Sequence, residues 1–236
     1  MSEPSPEGDF HLTPSPDPPS HLSPSPRPPC PLCGEEAAEP FDAADGREYL
    51  HCPACRLIFV PQKFWPSQPE ERARYDMHQN APDDEGYISF LETIAAPLAD
   101  RLAAGASGLD YGCGPEPVLC RLLGQRGFKI RPYDPHYFSE PPEGPFDFIV
   151  STETFEHFRR PRREIERIRA LLRPGGLLGL MTAFWSEEVF RANWHYRRDF
   201  THLCFYRRET IEWICGAFRF ETIWCDEKRA AILRLL

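Results

Sequence analysis

Four cysteines stand in two pairs of one design, Cys30-Pro-Leu-Cys33 and Cys52-Pro-Ala-Cys55, with 18 residues between the pairs. A two-residue gap lets both thiolates of a pair face one tetrahedral ion, so the set points to a zinc site. Four thiolates leave no open position for water or substrate, which makes such a zinc structural. Gly34 suits the tight turn behind the first pair, because glycine accepts positive φ. A second group is Leu109-Asp110-Tyr111-Gly112-Cys113-Gly114-Pro115-Glu116, an apolar run that ends in an acid and then a Gly-x-Gly turn. The glycines let the backbone turn sharply and approach a ligand closely. Asp134 follows about 20 residues later, where a carboxylate accepts hydrogen bonds from ribose hydroxyls. A third group is Phe184-Trp185 and the run Trp194-His195-Tyr196-Arg197-Arg198-Asp199-Phe200-Thr201-His202. His195 or His202 suits a general base, since imidazole titrates near working pH, and His157, directly after Glu156, falls near the same expected cleft. Arg197 and Arg198 could hold a carboxylate or phosphate by paired donors. The same run also reads as a hydrogen-bonded structural loop.

These groups need elements to hold them. Residues 1–29 are rich in Pro and Ser, with an imperfect ten-residue repeat, and cannot bury enough apolar surface to offset their ordering entropy; a disordered tail is expected. Residues 30–60 form the cysteine-framed module, with Phe41 and Tyr49 in short strand-like runs and a strand over 57–60. Residues 61–106 read as a linker and helical lid. Ile88, Leu91, Ile94, Ala95 and Leu98 recur at helical spacing, and Pro97 should end or kink that helix near Ala96. From 107 to the end the order is strand, Gly-rich turn, helix, strand, which argues for a parallel sheet with covering helices. Val118, Leu119, Leu122 and Leu123 share one face of a helix over 118–126, with Gly127 as its C-terminal cap. A strand over 128–133 leads to Asp134.

The run from Leu109 to Glu116, followed by Asp134, resembles motif I and the acidic motif after it in class I S-adenosylmethionine-dependent methyltransferases. Phe146–Ser151 looks like that family's fourth strand, Glu153-Thr154-Phe155-Glu156-His157 like its E-x-x-E-H segment, and Leu171–Leu178 like its turn before strand five. The resemblance covers roughly residues 85–236. The module in front resembles the zinc ribbon of some sugar C-methyltransferases. It implies an α/β fold with a Rossmann-like class I methyltransferase sheet behind an N-terminal four-cysteine zinc ribbon. It also implies S-adenosylmethionine as cofactor, held by Asp110, Tyr111, Gly112, Cys113, Gly114 and Asp134. The stretch Arg74–Asn80 corresponds to a lid in related enzymes, and 220–235 to a closing antiparallel hairpin that turns at Asp226-Glu227-Lys228.

Two features depart from the family pattern. Glu116 stands where a third glycine is usual. A carboxylate there would crowd the cofactor's methionine carboxylate, point away from it, or pair with its ammonium group. Only 11 residues separate Asp134 from Phe146, too few for a helix–strand–helix crossover, so the third strand is expected to be missing. Adenine contacts would then come from Thr152 and Glu153. A nicotinamide dehydrogenase is disfavoured, because Pro117 occupies the third glycine of the dinucleotide pattern.

The net charge of −9 argues against a nucleic-acid partner. The arginines from Arg159 to Arg173 alternate with Ile165, Ile168, Leu171 and Leu172 as on a solvated helix packed against a sheet. No apolar run reaches the roughly 18 residues of a membrane span, and no secretory signal pattern is evident, so a cytoplasmic protein is expected. An odd count of nine cysteines is ordinary in a reducing compartment if four bind metal. The expected function is methyl transfer to a small-molecule acceptor. The alternatives are a methyltransferase for RNA or protein, with the zinc module as docking arm, and a catalytically silent scaffold, for which Glu116 is the sequence support.

Overall fold

The computed structural model describes residues 27–77, 83–192 and 194–236. Most of the expected tail, up to residue 26, lies outside these residues, as do positions 78–80 of the expected lid. The described chain runs β1 (Glu39–Ala44), β2 (Arg47–His51), β3 (Ile58–Phe59), α1 (Gln68–Tyr75), α2 (Glu85–Ala99), β4 (Ser107–Tyr111), α3 (Val118–Gln125), β5 (Lys129–Tyr133) and β6 (Phe146–Thr152). It continues with α4 (Pro161–Leu171), β7 (Leu172–Met181), α5 (Glu187–Arg191), α6 (His195–Arg198), β8 (Cys204–Phe205), α7 (Arg208–Phe218), β9 (Phe220–Cys225) and β10 (Ala230–Leu235).

Six strands form the main sheet in the order β5-β4-β6-β7-β10-β9. The first four are parallel, and β10 and β9 close the edge as an antiparallel hairpin. Between Asp134 and Phe146 no strand joins the sheet among the described residues, as the short spacing requires. Alternate side chains face opposite layers. Phe148, Val150, Met181 and Ile232 pack under α2 and α3, while Ile149, Leu178, Leu180 and Leu233 pack under α4 and α7. Close strand approach fixes one glycine: a Cβ on Gly108 would lie 2.2 Å from the Phe148 ring. Asp226 turns the closing hairpin by accepting from the backbone N–H groups of Lys228, Arg229 and Ala230.

Three local expectations need correction. The helix does not break near Ala96: α2 runs through Pro97 to Ala99. Proline at this point removes one backbone hydrogen bond in the last turn, and Leu91, Ile94 and Leu98, buried against the sheet, hold the helix. The strand behind the second cysteine pair shrinks from four residues to Ile58–Phe59. The Pro-Gly-Gly segment belongs to β7 itself, whose register against β6 slips between the pairs Phe146–Leu172 and Phe148–Leu177.

The second sheet has the order β1-β2-β3-β8, all antiparallel. Its fourth strand comes from the α/β part of the chain, so the cysteine module shares a sheet with it. Tyr49, Ile58, Trp185, Phe190, Tyr196 and Phe205 form one buried cluster across that junction.

Candidate functional site

The two cysteine pairs fold as near copies. Cys30 N–H donates to Glu35 O and Cys52 N–H to Leu57 O, while Gly34 N–H donates to Cys30 O and Arg56 N–H to Cys52 O, each at 2.9 Å. The fifth position of each turn has positive φ, +83° at Gly34 and +62° at Arg56. The four sulfurs converge within 4.8 Å of one another, with Cys30–Cys55 at 3.5 Å and Cys33–Cys52 at 3.4 Å. A tetrahedron with zinc–sulfur bonds of about 2.3 Å has edges of about 3.8 Å, so this donor set fits zinc.

At the carboxyl ends of β4, β5 and β6 lies a cleft of about 1020 Å³. The turn after β4 forms its floor. Gly112 N–H and Cys113 N–H both donate to Tyr133 O, which wraps the turn onto β5. Gly112 (φ +84°) admits no side chain: a Cβ would lie 2.2 Å from Thr154 Cγ2, and the Thr154 hydroxyl donates to Gly112 O and Thr152 O. Gly114 (φ +67°) has open space at the Cβ position, leaving its backbone accessible to a ligand. Asp134 is buried and accepts from Gly114 N–H at 3.1 Å and His136 N–H at 2.8 Å, which uses two of a carboxylate's roughly four acceptor positions. The rest are open to further donors. A nucleoside-bearing cofactor therefore fits the residues present.

The other expected cofactor residues divide. Tyr111, Cys113, Thr152 and Glu153 line the cleft. Asp110 does not; it is 2% exposed beneath the turn, with Oδ1 unpartnered and Oδ2 facing the Cys120 thiol at 3.6 Å. Burial pushes its carboxyl up to about 7. Glu116 is exposed and is not among the residues that line the cleft, which agrees with the alternative that it points away, and the scaffold reading loses its support.

The opposite wall carries the three histidines. His195 is exposed at the rim, His157 half-buried, and His202 almost fully buried, and all three line the cleft. His157 Nδ1 faces Thr201 O at 3.1 Å and His202 Nδ1 faces Tyr196 O at 2.7 Å, with the two rings 4.7 Å apart. Burial, and then the charge of His157, hold His202 well below the usual imidazole range. Burial also raises Glu153, helped by neighbouring Glu156, and lifts Glu156 to about 7.

Two expected anchors play other parts. Arg197 is buried and pairs with Asp42 (2.9 Å) and Asp45 (3.3 Å) of the cysteine module, so it holds no substrate anion. Trp185 is buried between Phe41, His51 and Phe190, and so seats the module instead of a substrate. Charge and aromaticity at a loop position are equally useful for docking one part of a chain on another.

Several site residues escaped the sequence reading. Arg47 of β2 is buried and donates to the carbonyls of Phe200 (3.2 Å), His202 (3.0 Å), Asp199 (3.2 Å) and Arg197, and to the Tyr49 hydroxyl (3.0 Å). One guanidinium thus fixes the loop that carries His202. Helix α1 covers the cleft, begins in a capping box on Ser67 and Glu70, and is pinned by ion pairs Arg74–Asp199 (2.7 Å) and Arg159–Glu71 (2.9 Å). Burial raises Asp199, but the Thr201 hydroxyl and N–H, His202 and Arg74 outweigh it and hold the acid at about 2. Arg167 lies over the Tyr133 and Tyr111 rings and donates to the Tyr133 hydroxyl. Thus Arg159 and Arg167 of the supposed solvated face are cleft residues. Only the capping box was legible locally; the other contacts join distant segments.

A family model described as a methyltransferase domain matches residues 84–223. Among solved structures, the chain is similar to the 1,6-didemethyltoxoflavin-N1-methyltransferase of Burkholderia thailandensis, which was solved with 1,6-didemethyltoxoflavin and S-adenosylhomocysteine. Identity is 16%, coverage 84% of this chain and 99% of that one, and the TM-score 0.53. A complex of the Trm112 methyltransferase activator and a putative methyltransferase from Haloferax volcanii matches at 14% identity, over 68% of this chain and 96% of that one, with a TM-score of 0.47. At such identities the likeness is one of fold. No curated protein matches the sequence. No helix among the described residues is long and apolar enough to cross a membrane.

Proposed function

The chain belongs to the methyltransferase-domain family, as an enzyme that uses S-adenosylmethionine, and from that premise we propose that it methylates an oxygen or nitrogen of a small molecule. The observation that carries the small-molecule reading is the cleft. At about 1020 Å³ it stands at the upper end of ordinary ligand sites (about 300–1,000 Å³), enough for the cofactor beside a small acceptor. Helix α1 lines its mouth, and two of the arginines at and before α4 are paired within the chain, Arg159 with Glu71 and Arg162 with Glu166. Neither feature suits a polynucleotide, nor does the acidic balance.

Bound, the cofactor supplies an electrophilic methyl group on a sulfonium sulfur. The backbone of Gly112, Cys113 and Gly114 would receive it, Asp134 would take the ribose hydroxyls, and Thr152 and Glu153 would form the adenine side. Asp110 lies buried beneath the turn, its carboxyl held at about 7 by burial. Across the cleft His157, His195 and His202 face the acceptor, where the chain's task is to align the nucleophile and discharge its proton. Helix α1 shields the reacting atoms from water. A zinc ion held by Cys30, Cys33, Cys52 and Cys55 would act structurally, and β2 and β3 of the same module hold the histidine wall through Arg47 and the β3–β8 pairing. Residues 30–60 and 107–236 are thus one working unit, and a thiolate site of this kind suits a reducing compartment such as the cytoplasm.

Calorimetric titration of the full chain with S-adenosylhomocysteine tests the reading. Micromolar binding that is lost in Gly112→Ala is expected. No binding by the unaltered chain, with its metal site loaded, overturns it.

A further inference from the structure

Glu156 ends in an unusual setting. Its side chain is fully buried, and neither carboxylate oxygen has a hydrogen-bond partner. The hydroxyls of Tyr196 and Thr182 lie beside it and bond each other at 3.1 Å, which leaves one of the two protons free to turn to the carboxylate, and no Lys or Arg pairs with it among the described residues. A buried carboxylate without a counter-charge is costly, and one ready remedy is a cation. One ligand atom each from Glu156, His157 and His202 lies within 4.8 Å of the other two.

The two imidazoles are oriented as ligands. Each Nδ1 faces a backbone carbonyl, Thr201 O for His157 and Tyr196 O for His202, so each Nδ1 carries the ring proton and each Nε2 holds a lone pair. An imidazole that donates its other N–H to a carbonyl is the usual outer arrangement of a metal-bound histidine. Two imidazoles and one carboxylate leave positions of the coordination sphere open, the pattern of catalytic and not of closed structural sites. His157 and His202 line the cleft, so those positions face the acceptor. Glu153, three residues before Glu156, also holds a buried, unpartnered oxygen.

We propose that Glu156, His157 and His202 bind a divalent transition-metal cation in the histidine wall of the cleft, separate from the four-cysteine site, and that this ion takes an oxygen donor of the acceptor as a further ligand. The role of this ion rests on the methyl-transfer reading; its binding does not. A hydroxyl on the ion loses its proton to solvent water at lower pH than when free, since a bound cation stabilises the oxyanion. The oxygen lone pair then forms the C–O bond as the methyl carbon's bond to sulfur breaks. Sulfur keeps that electron pair and leaves as the neutral thioether.

The test uses the full chain, zinc-loaded, titrated with Co2+ and followed by metal analysis and absorption. Cobalt that enters the four-cysteine site shows a near-ultraviolet thiolate charge-transfer band; cobalt on two imidazoles and a carboxylate shows none. One equivalent without that band is expected, and is lost in both Glu156→Gln and His157→Gln. No such equivalent, or one that both variants retain, overturns the proposal. Parallel titration with S-adenosylhomocysteine separates the two readings: cofactor binding without the second metal removes the ion alone, and metal without cofactor binding removes methyl transfer alone.

Discussion

Asp110→Asn should stabilise the fold, and by an amount that depends on pH. The carboxyl is 2% exposed, has one unpartnered oxygen, and is held at about 7 against an ordinary 3.8, chiefly by burial. Below about pH 3.8 it is protonated in both the folded and unfolded chain. Between about 3.8 and 7 the folded chain keeps a proton that the unfolded chain has released, so stability falls as pH rises through this window and levels off above it. At about 1.4 kcal/mol per tenfold change in proton affinity, the cost reaches about 4 kcal/mol above pH 7 and about 2 kcal/mol near pH 5.5. Asparagine cannot ionise and has almost the same shape, so the variant escapes this cost. Urea denaturation of parent and variant at about pH 5.5 and about pH 8 reads the difference directly. The variant's advantage should be about 2 kcal/mol larger at the higher pH. An advantage equal at both pH values, or a loss of stability at pH 8, would refute the reasoning, because it would mean that the buried carboxylate has a partner or water that the geometry does not show.

Other perturbations probe the remaining parts of the site. Gly112→Ala drives a Cβ to 2.2 Å from Thr154 at a φ of +84°; it should weaken S-adenosylhomocysteine binding by at least about tenfold in calorimetry. Arg47→Lys replaces a planar fork on several loop carbonyls by a point charge, and should cost about 3 kcal/mol, seen as a Tm lower by about 6–12 °C with a raised acceptor KM. Arg74→Ala frees α1 from Asp199 and should cost about 1 kcal/mol of closure, measured as roughly fivefold faster release of S-adenosylhomocysteine in stopped flow. Cys52→Ser removes one of four thiolates; metal analysis should show zinc lost and limited proteolysis should cut first within residues 30–60.

Much of this molecule was legible in the sequence, and for local reasons. Helical spacing placed α2, α3 and α4, because a helix face repeats whatever the tertiary context. The Gly-x-Gly turn and the Gly34 knuckle were readable because positive φ is a property of single residues. The cysteine spacing set the knuckle geometry, and the 11 residues after Asp134 ruled out a third strand by length alone. Tertiary structure decided what spacing cannot carry, namely which side chain meets which across the chain. Arg197 and Trp185 look like substrate contacts until the cysteine module packs on them. Arg47 looks like an ordinary strand arginine until β2 brings it under the loop of residues 197–202. Glu156 and His157 are neighbours in sequence, but His202 reaches them only because β8 pairs with β3 and Leu203 N–H donates to Glu156 O at 2.7 Å. Backbone conformation is set largely by each residue and its neighbours, whereas burial and partnership depend on surfaces that exist only once distant segments have packed.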